Sequence, residues 1–196
     1  KNKQSLWIDF ISRNLLESGE LETLINKETL QNRVASLAQQ ISADFRGEHL
    51  HLIGILKGAW IFMADLIRHL QLNTSVDFIT VSSYASSMKS TGKVTIVKDL
   101  NTSIKDLNVL LIEDICETGL TLDYLTQKLK NQNPKSLSIV SLLSKFDKRK
   151  KKINLNYVGF EIENHFVVGY GLDYQENFRN LPEIHLVQFN EKKIPN

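Results

Sequence analysis

Val109-Leu110-Leu111-Ile112-Glu113-Asp114-Ile115-Cys116-Glu117-Thr118-Gly119-Leu120-Thr121 decides how this chain folds. The four leading apolar residues suit a strand buried on both faces. Leu122, Leu125 and Leu129 then recur at helical spacing, and the helix they predict ends before Pro134. Between strand and helix lie three carboxylates and a small polar loop. Backbone N–H groups at a helix N-terminus, with the Thr118 and Thr121 hydroxyls, can cradle a phosphate. Gly119 lets the backbone approach such an anion closely. Acidic residues just ahead of the cradle suit sugar hydroxyls, as acceptors, or a divalent cation. Together these features describe a phosphorylated ribose. The same pattern also suits a plain helix start, with Thr118 as N-cap and the acids solvated in the loop. It is no P-loop, because the Gly-x-x-x-x-Gly-Lys-Ser/Thr spacing is absent.

Upstream the same rhythm appears. Asn26 to Phe45 reads as an amphipathic helix, with Asn26 as N-cap, Leu30, Val34, Leu37 and Ile41 on one face, and Gly47 to stop it. His51 to Leu56 is a short apolar run suited to a buried strand. A Gly58 turn follows, then a helical pattern through Trp60, Met63, Ala64 and Ile67. Val76 to Tyr84 alternates like a strand, and Ser86 to Lys93 is polar loop. Downstream, Leu137 to Leu143 is another strand, with shorter candidates at Tyr157 to Ile162, Phe166 to Val168 and Ile184 to Phe189. Strands alternating with helices imply an α/β fold with a mostly parallel sheet covered on both faces. Ligands bind such sheets where strand C-termini open into loops.

Composition sets the frame. At 196 residues the chain fits one domain, and no linker or repeat divides it. Its 42% hydrophobic and 23% charged residues exclude a wholly disordered chain. A formal net charge of +2 calls for neither a polyanionic nor a membrane partner. One cysteine cannot form an internal disulfide, which favours a reducing cytoplasm. No apolar run approaches the ~18 residues of a spanning helix, and no signal-peptide layout opens the sequence, so the expected location is cytoplasmic.

Val109 to Leu122 resembles the phosphoribosyl-pyrophosphate (PRPP) signature of the type I phosphoribosyltransferases. Three further segments narrow the resemblance to the hypoxanthine-guanine phosphoribosyltransferase family. They are Leu56-Lys57-Gly58, then Ser83-Tyr84 with the loop Ser90-Thr91-Gly92, and finally Gly159-Phe160-Glu161-Ile162 continuing from Phe166 through Asp173 to Phe178-Arg179. The match runs from about Leu21 to Val187, with the motifs in the family's order, leaving residues 1–19 as an N-terminal extension. Trp7, Ile8, Phe10 and Ile11 suggest that this extension packs on something. The resemblance implies one phosphoribosyltransferase domain over 1–196, a twisted, mostly parallel sheet flanked by helices, and a small hood formed by the N- and C-terminal segments.

The implied reaction moves the 5-phosphoribosyl group from PRPP to N9 of a 6-oxopurine in purine salvage. It gives IMP from hypoxanthine, GMP from guanine, and pyrophosphate, with Mg²⁺ as cofactor. By resemblance, Thr118, Gly119, Leu120 and Thr121 hold the 5′-phosphate. Glu113 and Asp114 face the ribose hydroxyls, directly or through the metal. Successive strand residues point oppositely, so both can do so only if the strand has ended at Ile112; otherwise one is structural. Glu117 stands at the general-base position, where the family usually has Asp. Lys57, Gly58 and Arg179 belong to pyrophosphate, and the Leu56–Lys57 peptide can be cis in the family. Lys145 donates to O6 of the purine, Phe166 stacks on its ring, and the Val167 backbone reads its edge. Asp173 holds a second Mg²⁺. Ser83, Tyr84 and the loop to Gly92 form a lid that excludes water.

Locally, several of these residues read otherwise. Lys57 is an exposed lysine, Asp173 a turn residue, Tyr84 a strand-end aromatic, and Phe166 with Val167 a piece of core. Lys148-Arg149-Lys150-Lys151-Lys152 is first a solvated turn, with no interleaved aromatics to favour nucleic acid. Cys116 is a small buried hydrophobe. The five histidines lack zinc spacing, and no serine nucleophile elbow is present. Two other functions fit the signature: a PRPP-sensing regulator that binds nucleic acid, and a transferase for xanthine or a pyrimidine. The family resemblance implies a homodimer or homotetramer and no membrane partner.

Overall fold

The computed structural model describes residues 19–83 and 94–189. Tyr84, the loop Ser90-Thr91-Gly92 and the N-terminal stretch through Ser18 lie outside the described residues. The chain divides into two compact units. The larger runs from residue 31 to 164, and the described part of the smaller comprises residues 19–30 and 165–189.

The larger unit is an open six-stranded sheet in the order β4-β3-β2-β5-β6-β7. Its strands are β2 (His49–Leu56), β3 (Asn73–Ser83), β4 (Val94–Lys98), β5 (Asn108–Cys116), β6 (Ser136–Ser144) and β7 (Tyr157–Glu161). β3, β2, β5, β6 and β7 run parallel, and β4 closes one edge antiparallel to β3. The helices are α1 (Lys27–Asp44), α2 (Trp60–His69) and α3 (Leu120–Lys130). Asn26 caps α1 as its residue type predicts, its side-chain oxygen accepting the Thr29 N–H at 2.9 Å.

Alternation along the strands puts helices on both sheet faces. Ile53, Ile55, Val109 and Leu111 pack with Leu122, Leu125 and Leu129 of α3. Gly54 points the other way, where a Cβ would lie 2.5 Å from Met63 of α2. Outside that core, α1 spends a buried-edge cation on β7: Arg33 donates to the Val158 and Gly159 carbonyls at 2.6 and 2.8 Å.

One boundary corrects the sequence reading and shapes the site. β5 does not end at Ile112; it continues to Cys116. Its pairing with β2 stops at Ile112 opposite Gly54, while its pairing with β6 runs on to Cys116 opposite Ser144. Ladder hydrogen bonds from β6 alone hold those last four residues extended. Glu113 and Asp114 are therefore strand residues, and their environments differ: Glu113 is buried and Asp114 half-buried.

The smaller unit is a three-stranded antiparallel sheet, β1-β9-β8, with β1 (Gly19–Ile25), β8 (Val167–Val168) and β9 (Ile184–Phe189). Val168, Leu181 and Val187 form its core, with Leu21, Tyr174 and Phe178 against them.

Candidate functional site

In the larger unit the candidate site residues lie at the C-terminal ends of β2, β5 and β6. After β5 the backbone turns at Gly119, whose φ of 76° is left-handed and suits glycine. Gly119 occupies the N-cap of α3, and no side chain caps that helix. Thr118 is thus not the cap: its hydroxyl accepts the Leu120 N–H at a long 3.4 Å. The first N–H groups of α3 stay directed at the turn, with the positive end of the helix dipole behind them. A carboxylate or phosphate oxygen is their natural partner.

The turn after β2 meets β5 closely. The Leu56–Lys57 peptide is cis, as the resemblance allows. Lys57 is exposed and Gly58 half-buried. A Cβ on Gly58 would stand 1.7 Å from Asp114 Oδ2 and 2.4 Å from its Cγ. Glycine is what lets this loop lie against the Asp114 carboxylate.

Beyond β6 comes Lys145, buried at 4% exposure. Its N–H donates to the Cys116 carbonyl at 2.9 Å, which ties the end of β6 to the end of β5. Its ammonium forms an ion pair with the Glu117 carboxylate. The pair is lopsided, since the Glu117 side chain is 44% exposed while that of Lys145 is 5% exposed. A buried ammonium held by one half-open carboxylate can still donate to a second acceptor. The basic run that follows folds back on the turn before α3, Lys150 and Lys151 both giving their N–H groups to the Thr118 carbonyl at 3.0 and 3.2 Å.

The smaller unit holds Phe166, Val167, Asp173 and Arg179, while Ser83 ends β3 in the larger one. Phe166 is 43% exposed and packs edge-on against Tyr174, with ring centroids 5.6 Å apart. The Phe166 carbonyl accepts the Val187 N–H at 2.9 Å, which makes that a hydrogen-bonded pair. The next pair, Val167 with Leu186, is then non-hydrogen-bonded, and the Val167 N–H and C=O face away from β9. Asp173 accepts the Glu176 N–H at 2.8 Å and pairs with Arg179 at 2.8 Å. Arg179 also donates to the Gly171 carbonyl at 2.8 Å.

The phosphoribosyl transferase domain family matches residues 22–175. A hypoxanthine-guanine phosphoribosyltransferase of Staphylococcus aureus (strain Mu50 / ATCC 700699) is 48% identical over 163 residues, 83% of this chain and 91% of the relative. The chain belongs to the hypoxanthine-guanine phosphoribosyltransferase family. Another relative so named, from Bacillus subtilis (strain 168), is 46% identical over the same shares. The crystal structure of a hypoxanthine-guanine phosphoribosyltransferase from Bacillus anthracis, with HEPES in its active site, superposes with a TM-score of 0.82. It is 45% identical and covers 85% of this chain and 98% of that one.

In this hypoxanthine-guanine phosphoribosyltransferase family member, the two acids of β5 are electrostatically coupled. Burial pushes the Glu113 carboxyl well above the usual range, and the Asp114 charge and a hydrogen bond between the two carboxyls push it the same way. Of the two coupled carboxyls, Glu113 is the one whose charged form burial disfavours. Its folded-state value lies above the unfolded one, so its contribution to stability is complete below the ordinary carboxylate pKa and is lost as pH rises through the folded value. Glu113→Gln, which keeps the neutral shape and cannot ionise, should therefore gain melting temperature over the wild type as pH rises from 5 to 9. A gain of about 2–4 °C at the alkaline end corresponds to ~1 kcal/mol in a chain of this size. Thermal melts across that range check it, and a constant difference at every pH would show Glu113 ionised throughout.

Arg149 was invisible in the sequence, being one cation in a run of five. Asp77, a polar position in the alternating β3, is 4% exposed; it accepts the Asn101 and Thr102 N–H groups at 2.7 and 3.2 Å and so anchors the segment after β4. Its charge and alternation gave no sign of that task. Among the described residues no cluster of three or more His, Cys, Asp or Glu could hold a metal ion, and no helix is long and apolar enough to cross a membrane.

Proposed function

We propose that this chain transfers the 5-phosphoribosyl group of PRPP to N9 of hypoxanthine or guanine, forming IMP or GMP and releasing pyrophosphate. The observation that carries the reading is a buried ammonium, Lys145, paired with Glu117 two residues before Gly119, the N-cap of a helix that no side chain caps. That combination joins an anion cradle to a donor suited to a carbonyl.

In this reading Thr118, Gly119, Leu120 and Thr121 take the 5′-phosphate through backbone N–H groups. Asp114 accepts from a ribose hydroxyl, and Glu113 holds Asp114 in place. Lys57, Gly58 and Arg179 serve pyrophosphate, with the Ser83 and Tyr84 segment as the lid. Phe166 stacks on the base while the outward Val167 backbone reads its edge. Lys145 donates to O6, and Glu117, beside it, takes the purine proton. Positive charge grows on the ribose as pyrophosphate departs, so the carboxylates also offset that charge. An ammonium only donates, and it would meet the amino group of adenine donor to donor, which gives discrimination of order 10⁴ against adenine.

Magnesium fits the donor chemistry as part of the PRPP substrate. Of the candidate ligands, Asp114 and Asp173 offer carboxylate oxygen alone, Glu113 being engaged with Asp114, and Mg²⁺ typically takes one or two carboxylates with phosphate and water. Asp173 still has lone pairs beyond its bonds to Glu176 and Arg179. Bound there, the ion would offset the charge of the leaving pyrophosphate. We assign the reaction to the cytoplasm, carried out by a homodimer or homotetramer; sedimentation distinguishes the two assemblies.

The test is an assay with PRPP, Mg²⁺ and each of hypoxanthine, guanine, xanthine, adenine and uracil. IMP and GMP should form, with adenine and uracil slower by at least ~10³. Tight PRPP binding without transfer to any base would mean a sensor rather than an enzyme, and transfer to xanthine or uracil in preference would reassign the acceptor. Within that assay Glu117→Gln should lower kcat about a hundredfold, the low end for a general base. Unchanged turnover would remove Glu117 from proton transfer.

A further inference from the structure

We propose that Arg149 is a positioning residue for the transfer, fixing from one guanidinium both the purine-facing Lys145 and the phosphate-facing turn at Thr118. The inference rests on the roles just proposed for those two residues. Nη2 of Arg149 donates to Ser144 Oγ at 2.8 Å, and Nη1 donates to the Ile153 carbonyl at 3.0 Å. Ser144 is fully buried and immediately precedes Lys145; its carbonyl accepts the Ile162 N–H at 3.0 Å. One arm of the fork thus grips the last residue of β6, and the other closes the loop 146–153.

That loop is what supports the phosphate turn. Lys150 and Lys151 donate their N–H groups to the Thr118 carbonyl, and the Ile153 side chain and Lys151 carbonyl both stand 3.1 Å from where a Cβ on Gly119 would be. The Phe146 ring lies 5.7 Å from the guanidinium and shields it on one side. Releasing Arg149 would loosen both ends of the loop at once. The surrounding lysines play no such part: Lys148, Lys150 and Lys152 are exposed, and the Lys151 ammonium sits 3.5 Å from Asp123.

A planar fork with two fixed acceptors is not replaced by lysine. Arg149→Ala should lower kcat/KM about a hundredfold, the usual consequence of roughly 1 Å of misplacement, and should raise KM for PRPP and for hypoxanthine together. A merely structural role would reduce the active fraction, hence kcat, and leave both KM values unchanged. Arg149→Lys should raise both KM values severalfold at an unchanged melting temperature. Ser144→Ala should do likewise, and the Arg149→Ala/Ser144→Ala double variant should lose less than the sum of the two. Lys148→Ala and Lys152→Ala should match the wild type.

If Arg149→Ala does not fold, the Lys and Ser144 variants carry the test. Wild-type KM values in Arg149→Lys and Ser144→Ala, with the wild type active, overturn the inference and leave the proposed function standing. A wild type that transfers to no base overturns the function, and the inference with it.

Discussion

Lys145→Ala is expected to lower kcat/KM for hypoxanthine about a thousandfold. The side chain is buried, and its ammonium is the partner both of Glu117 and, in the proposed reaction, of the purine O6. A hydrogen bond to a charged group contributes about 1.5–3 kcal/mol, and leaving its partner unpaired adds to that. Roughly 4 kcal/mol corresponds to three powers of ten. The informative companion is Lys145→Gln. A glutamine amide can accept as well as donate, so it can meet the adenine amino group that lysine repels. The ratio of hypoxanthine to adenine turnover should fall at least a hundredfold in that variant, chiefly because hypoxanthine becomes a poorer substrate. Steady-state kinetics with both bases measure it. A Lys145→Ala enzyme within tenfold of the wild type would place purine recognition elsewhere.

Gly58→Ala is expected to cost a hundredfold or more in kcat/KM for PRPP while leaving the melting temperature nearly unchanged. The added methyl would stand 1.7 Å from Asp114 Oδ2, so something must move. The carboxylate is the softer partner, half-buried and able to turn about its two side-chain torsions, whereas the loop is fixed between β2 and α2. Asp114 should rotate out of place, and the loss falls on function rather than on folding. Gly58→Ala introduced into Asp114→Ala should then add little further loss, since the displaced group is already gone. Full activity in Gly58→Ala would mean that the Asp114 orientation is irrelevant to PRPP.

Much of this architecture was legible because buried parallel strands announce themselves. β2 and β5 are built on short apolar runs, Leu52–Leu56 and Val109–Ile112, β6 on apolar residues interrupted by serines, and α1 and α3 carry clear helical stripes. β1 and β4 escaped notice because they are edge strands with little to bury: of Glu20–Ile25 only Ile25 is buried, and β4 has no buried residue. The end of β5 was misjudged because charge at Glu113 and Asp114 reads as loop, whereas pairing with β6 alone sustains the strand. Residue types predicted the loop that opens a helix at Thr118–Thr121, but the cap of that helix is Gly119, which hydroxyl chemistry does not foretell. The Lys145–Glu117 pair and the Arg149 fork join residues 28 and up to five positions apart across loops, and no local spacing encodes them.

The β1–β9 pairing has a consequence for biosynthesis. Gly19 is matched with Phe189 and Ile25 with Ile184, so the first described strand waits for nearly the last. Ribosomes add about 5–20 residues per second, which leaves β1 without its ladder for roughly 10–30 s while residues 31–164 are already made and able to collapse. An early strand with that long an idle interval is a natural client for a chaperone at the ribosome exit, and substitutions in β1 should show in yield from the cell before they show in the rate of the purified enzyme.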